Sequence, residues 1–128
     1  MNPITDEWVN KAEGDFATAQ RELQVTKETN YDAVCFHAQQ CVEKYLKARL
    51  QESGRSFGKT HDLSTLLDLI LPTEATWDTL RPDLQALTVF AVTYRYPGDS
   101  ADESDAREAV ECCEKVRKVV RASLGLPT

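Results

Sequence analysis

The sequence has 128 residues, of which 41% are hydrophobic and 28% are charged, a balance that fits one globular domain and excludes a low-complexity chain. It contains 15 Lys and Arg against 21 Asp and Glu, and the net charge of −6 excludes a protein that binds nucleic acid over its whole surface. No apolar run approaches the ~20 residues that cross a bilayer, and the acidic first segment has no apolar stretch. We therefore expect no secretory signal, no membrane contact and a cytoplasmic location.

Hydrophobic residues recur at steps of three and four along the chain, which is the spacing of helices that bury one side. The five predicted helices run over residues 5–23, 30–53, 61–71, 76–94 and 101–124. Thr5, Asn30 and Thr60 are the expected N-caps of the first three, and Ser100 with Glu103 has the spacing of a capping box for the last. Short loops between these helices predict a single all-α domain over residues 1–128. Its expected architecture is an antiparallel up-and-down bundle, with a four-helix core and the short third helix as a crossover.

Neither the spacing of the cysteines nor any known motif in the sequence indicates a metal site, a cofactor site or a set of catalytic residues. None of the four cysteines forms a CxxC pair. Cys112 and Cys113 are adjacent, and on a helix they point about 100° apart, which suits neither a disulfide nor metal chelation. A glycine-rich phosphate loop, HExxH and GxSxG are all absent from the sequence. We expect the cysteines to be small buried apolar residues.

The second helix carries a polar stripe away from its apolar face. The residues of this stripe lie within an arc of about 80°, and they are His37, Gln40, Lys44, Lys47 and Gln51. Two interpretations are open: an ordinary solvated face, or a groove whose long donors and titratable His face a nucleotide or phosphate. Phe36 lies beside the stripe, and it is either a single exposed apolar residue or a contact to a second subunit.

Two further segments contain candidate anion-binding residues. Lys59 and His61 flank the expected start of the third helix, where unpaired backbone amides favour an anion. The alternative is that Thr60 only caps this helix and His61 packs. Arg95, just before Tyr96 at the end of the fourth helix, either satisfies the last helix carbonyls or presents its guanidinium to phosphate.

Three segments resemble, in order along the chain, the motifs of one family. They are Phe36–Ala48 (FHAQQCVEKYLKA), Lys59–Leu63 (KTHDL) and Arg95–Asp99 (RYPGD). The chain thereby resembles the HEPN family, helical domains named for nucleotide binding in higher eukaryotes and prokaryotes. The resemblance implies an all-α up-and-down bundle that forms a homodimer. It also implies a neighbouring gene for a minimal nucleotidyltransferase, often as a toxin–antitoxin pair.

The resemblance also bears on catalysis. Some family members are metal-independent ribonucleases that use an Arg followed a few residues later by a His. Arg95 matches this Arg, but Ser100, Ala101 and Asp102 stand where the His is expected. Without that imidazole the sequence shows no general base for a ribose 2′-hydroxyl, and we predict no catalytic residue.

We predict a HEPN-type module that binds a nucleotide or RNA and works with a nucleotidyltransferase partner. The predicted binding residues supply charge, hydrogen bonds or a stacking surface, and they are His37, Gln40, Lys44, Lys47, Lys59, His61, Arg95 and Tyr96. Two alternatives are open. One is an endoribonuclease of degenerate motif that uses His37 or His61 with Arg95. The other is a protein-interaction scaffold, which the net charge of −6 favours over free RNA binding.

Overall fold

The computed structural model covers residues 1–128 and contains only helices. The α-helices are α1 (Pro3–Leu23), α2 (Tyr31–Glu52), α3 (Leu63–Ile70), α4 (Arg81–Thr93) and α5 (Glu103–Ser123), and a 3-10 helix over Ala75–Leu80 leads directly into α4. The predicted all-α bundle with a short third helix is confirmed. None of the helices combines the length and apolar character that a bilayer-spanning segment needs.

Helix α2 is the centre of the bundle, because it packs against each of the other four α-helices. Twelve of its 22 residues are buried, and these include the polar Gln39, Glu43 and Lys47. A helix enclosed on most of its circumference has no wide solvent-exposed face. Helix α2 therefore forms the inner wall of the spaces that open between the outer helices.

The cysteines belong to the hydrophobic core. All four are free and buried, as expected. Interaction with the Cys113 thiol, together with burial, raises the pKa of Cys41 well above its ordinary value. Burial also raises the pKa of Cys35 and of Cys112 to about 12. Cys35, Cys41 and Cys112 therefore stay protonated near neutral pH, so they pack rather than act as nucleophiles.

Helix α1 begins earlier than the sequence suggested. Pro3 occupies its first position, and the Asn2 side chain caps it by accepting a hydrogen bond from the Ile4 amide at 2.8 Å. The prediction that Thr5 caps α1 is wrong, because this residue lies inside α1 and is fully buried. Asn30 caps α2 as expected.

Two other helices begin later than expected, and each is capped by a carboxylate. Asp62, rather than Thr60, caps α3. Asp102 and Asp105 form the capping box of α5 in place of the expected Ser100–Glu103 pair. A carboxylate that reaches the free amides is a stronger acceptor than a hydroxyl, and it decides where each helix begins.

Candidate functional site

A cavity of about 290 Å³ opens between α2, the loop before α3 and the C-terminal half of α4. Six of its eight lining residues are polar or charged, and the full set is Gln39, Gln40, Glu43, His61, Thr88, Ala91, Val92 and Arg95. This volume is near the lower end of the ~300–1,000 Å³ that small-molecule sites occupy. The cavity therefore suits a small polar ligand, or one unit of a larger ligand.

Glu43 is the buried acid of the cavity and is only 3% exposed. Its Oε2 accepts a hydrogen bond from the Lys47 ammonium at 3.1 Å and lies 3.0 Å from Nδ1 of His61. The other oxygen, Oε1, is buried without a hydrogen-bond partner. Because an ionised carboxylate has about four acceptor sites, Glu43 keeps unused acceptor capacity beside the cavity.

Gln39 and Gln40 lie beside Glu43 on the same wall. The Gln40 amide nitrogen donates a hydrogen bond to the Gln39 side-chain oxygen at 2.9 Å. This leaves the Gln39 nitrogen as a free donor and the Gln40 oxygen as a free acceptor. The edges of nucleobases carry donors and acceptors of the same kind.

Arg95 lies at the rim of the cavity, just beyond the end of α4. Its residue is exposed, and the guanidinium carbon is 6.0 Å from the centroid of the Phe36 ring. It forms no ion pair within the chain, and its side chain does not bond the last carbonyls of α4. The cation–π contact orients the guanidinium and leaves its N–H donors open to an anion.

The polar stripe predicted on α2 is not one solvent-exposed face. Lys47 is only 5% exposed, and its ammonium pairs with Glu43. It also lies 5.5 Å from the ring centroid of Trp8 and 5.9 Å from that of Phe57. The expectation of an exposed Lys47 is wrong, because its ammonium lies against these rings and its charge is neutralised inside the fold.

His37 and Lys44 lie on the flank of α2 that faces α1. The Asp15 carboxylate holds both, with His37 Nδ1 at 2.8 Å and the Lys44 ammonium at 2.5 Å. The structure therefore does not bring them to the cavity that contains Arg95. Their role toward phosphate stays a prediction.

Lys59 and Tyr96 are also outside the cavity. Both are exposed, Tyr96 by 64%, and neither lines any cavity of the chain. Of the predicted binding residues, the structure brings together Gln40, His61 and Arg95.

Three polar lining residues escaped the prediction from sequence. Gln39 and Glu43 lie one turn apart on α2, at the edge of the polar stripe, and Thr88 lies on α4 two turns before Arg95. The sequence feature that could have indicated Gln39 and Glu43 is the adjacent pair of glutamines followed by an acid. Only the packing of α4 against α2 shows that these side chains face a shared space.

The sequence matches the model of the HEPN domain family over residues 5–123. The fold is similar to the crystal structure of ST0689, an archaeal HEPN homologue, with 27% identity, a TM-score of 0.70 and coverage of 93% of this chain and 96% of that one. It is also similar to the crystal structure of TT1696 from Thermus thermophilus, with 24% identity, a TM-score of 0.78 and coverage of 92% and 96%. No curated protein matches the sequence. Because the family match extends over nearly the whole length, this chain belongs to the HEPN family.

Proposed function

We propose that this HEPN chain binds a nucleotide, or one nucleotide unit of RNA, in the cavity between α2 and α4. The observation that carries the proposal is that one cavity joins a free guanidinium to a wall on which a pair of glutamines has a free donor and a free acceptor. Arg95 supplies the planar donor fork that suits phosphate. Gln39, Gln40 and Glu43 supply the donors and acceptors that the edge of a base requires.

The charges around the cavity support an anionic ligand despite the net charge of −6. The charge of Glu43 is balanced by the buried ammonium of Lys47, so Arg95 is the uncompensated charge of the lining. Lys44 is balanced by Asp15 and adds nothing here. With one free cation, we expect binding that is weak and falls as salt is raised.

The substitution Arg95→Gln is expected to lower nucleotide affinity at least about tenfold. A hydrogen bond to a charged group contributes about 1.5–3 kcal/mol, and this variant removes the free cation of the site. The measurement is an NMR titration with adenosine 5′-monophosphate (AMP), followed at the backbone amides of the cavity.

The matched control is Arg55→Gln. Arg55 is exposed in the loop after α2, makes no ion pair and lies outside the cavity, so AMP affinity should be unchanged. Absence of shifts at the cavity with every mononucleotide tested would contradict the proposed function.

A second candidate function is RNA cleavage, which is favoured because His61 lines the same cavity as Arg95. The bond from Nδ1 to buried Glu43 orients the imidazole and leaves Nε2 free. Nε2 would take the proton of a ribose 2′-hydroxyl while that oxygen bonds to phosphorus. The bond to the 5′ oxygen breaks, this oxygen takes a proton from a water molecule, and a 2′,3′-cyclic phosphate is left. The resulting hydroxide takes the proton held on Nε2, which returns the imidazole to its starting state. Arg95 would stabilise the charge on the phosphate.

The substitution His61→Ala is expected to reduce such cleavage at least ~100-fold, because general-base catalysis contributes about 10²–10⁴. The measurement is the appearance of fragments that end in 2′,3′-cyclic phosphate. His37→Ala is the matched control, since His37 lies against Asp15 outside the cavity. Intact RNA after prolonged incubation with the unaltered protein would rule this candidate out.

We also propose the two protein partners that family membership implies, a second copy of the chain and a minimal nucleotidyltransferase, in the manner of a toxin–antitoxin pair. Support comes from exposed apolar side chains on α2 and on or just after the C-terminal half of α4, which are Phe36, Val89, Val92 and Tyr96. Sedimentation of the chain alone, and mixed with a nucleotidyltransferase encoded beside it, measures both associations. A monomer in both samples would contradict them.

A further inference from the structure

Arg95 separates two cavities. The second cavity, of about 310 Å³, lies between the start of α2 and the end of α4. Ala91 and Arg95 line both cavities, so the two are neighbouring parts of one groove along α2 and α4. A free cation therefore stands in the middle of this groove, with a space of similar size on each side.

The two spaces differ in chemistry. The second cavity has an aromatic lining, with the ring of Phe36, which is 40% exposed, and the ring of Tyr94. Two of its polar groups are already engaged: the Tyr94 hydroxyl donates to Asp105 at 2.8 Å, and Oδ1 of the Asp32 carboxylate accepts from the Ala101 amide at 2.7 Å. The first cavity offers open hydrogen-bond groups, whereas the second offers surface on which a flat ring can stack.

We propose that two nucleosides joined by one phosphodiester bind across Arg95, with one base in each cavity and the diester at the guanidinium. This inference rests on the proposed function of the first cavity and names its ligand class, a dinucleoside monophosphate, which is also the repeating unit of an RNA strand. Ala33 in the second cavity and Gln40 in the first are ~10 Å apart along α2 at 1.5 Å per residue. The two bases are therefore unstacked from each other, as in single-stranded RNA splayed on a protein.

The second base is expected to raise the affinity of the chain for the ligand. Stacking of a base on an aromatic side chain corresponds to roughly five- to hundredfold in affinity. The probe is adenylyl-(3′→5′)-adenosine (ApA). The comparison ligand is the methyl ester of AMP, which carries the same single diester charge but only one base.

The experiment is an NMR titration of the full chain with both ligands. We expect ApA to bind at least about fivefold more tightly and to shift the amides of Ala33 and Phe36 as well as those of Gln39 and Gln40. Equal affinities, or ApA shifts confined to the first cavity, would overturn the two-base proposal while leaving the proposed function intact. If neither ligand shifts the amide signals of the first cavity, the result contradicts the proposed function instead.

A variant that fills the second cavity gives an independent test. Ala33→Met places a larger side chain in this cavity and is expected to remove the preference for ApA over the methyl ester. Ala122→Met, at an exposed position of α5, is the matched control and should keep the preference. A preference that survives in Ala33→Met would count against the second base site.

A longer probe distinguishes the two sources of this ligand, an RNA strand and a free dinucleotide. A hexaadenylate that binds as tightly as ApA, or more tightly, assigns the groove to an RNA strand. A hexaadenylate that fails to bind assigns it to a free dinucleotide.

Discussion

Replacing Glu43 with Ala is expected to lower the free energy of unfolding by about 3–5 kcal/mol, the usual cost of breaking a buried ion pair on one side. The variant leaves the Lys47 ammonium, which is 5% exposed, between the rings of Trp8 and Phe57 without its carboxylate. It also releases His61 from its hydrogen bond to Oε2. The measurement is urea denaturation followed by circular dichroism.

Two controls isolate the buried pair from the general effect of a substitution. The double variant Glu43→Leu/Lys47→Met removes both charges and should regain most of the lost stability. Glu114→Ala breaks an ion pair of the same i,i+4 spacing, formed with Lys118 and about half exposed, and should cost less than about 0.5 kcal/mol. A loss below about 1 kcal/mol in Glu43→Ala, or no recovery in the double variant, would disprove the role assigned to the pair.

The second large effect is expected from Glu13→Gln, which should lower the free energy of unfolding by about 2 kcal/mol at pH 7. Arg117 holds the Glu13 carboxylate through two hydrogen bonds of 2.6 and 2.8 Å, and the Tyr45 hydroxyl donates a third at 2.7 Å. These contacts connect α1, α2 and α5 at one point. The variant removes the carboxylate charge and leaves the half-buried Arg117 guanidinium without its counter-ion.

The pH dependence gives this prediction a second readout. The hydrogen bonds from Arg117, and then that from Tyr45, hold the pKa of Glu13 below its ordinary value of 4.5, although burial alone would raise it. Because the folded pKa is the lower one, the unfolded chain binds the proton more readily. The stabilisation is therefore complete above the ordinary value and is lost as the pH falls through the folded one.

We accordingly expect the stability of the unaltered protein to fall more steeply below about pH 5 than that of Glu13→Gln. Urea denaturation at a series of pH values measures both slopes. Glu7→Gln changes an exposed acid of the same helix that makes no ion pair, and its stability should stay within about 0.5 kcal/mol of the parent. If the stability of the parent and of Glu13→Gln falls with the same slope as the pH is lowered, Glu13 does not contribute to the loss of stability in acid.

The sequence was sufficient to predict the bundle, because hydrophobic periodicity is set by the core itself. Helices α1, α2 and α5 begin and end within two residues of the predicted bounds. The caps were harder to predict, because several polar residues precede each helix and the backbone decides which side chain reaches a free amide. Asn2 and Asp62 reach such amides, whereas Thr5 lies one turn too late.

The site was only partly predictable. Gln40, His61 and Arg95 were identified from their residue type and their place at helix ends or on a polar stripe. The lysines of α2 looked free because the sequence does not show that Asp15 neutralises Lys44. Nor does it show that α1 and the loop after α2 enclose Lys47. Partners that are distant in the chain decide which cations remain open, and these contacts exist only in the folded protein.

The position of the site relative to α2 has a consequence for how its ligand preference can change. Gln39, Gln40 and Glu43 sit on α2, which packs against the other four α-helices, and regions packed in this way are among the last to open. Arg95 and His61 sit beside helix ends, which fray first. A substitution at a helix end can change the affinity for the ligand with little loss of stability. A change in which ligand is bound requires substitutions on the buried helix α2.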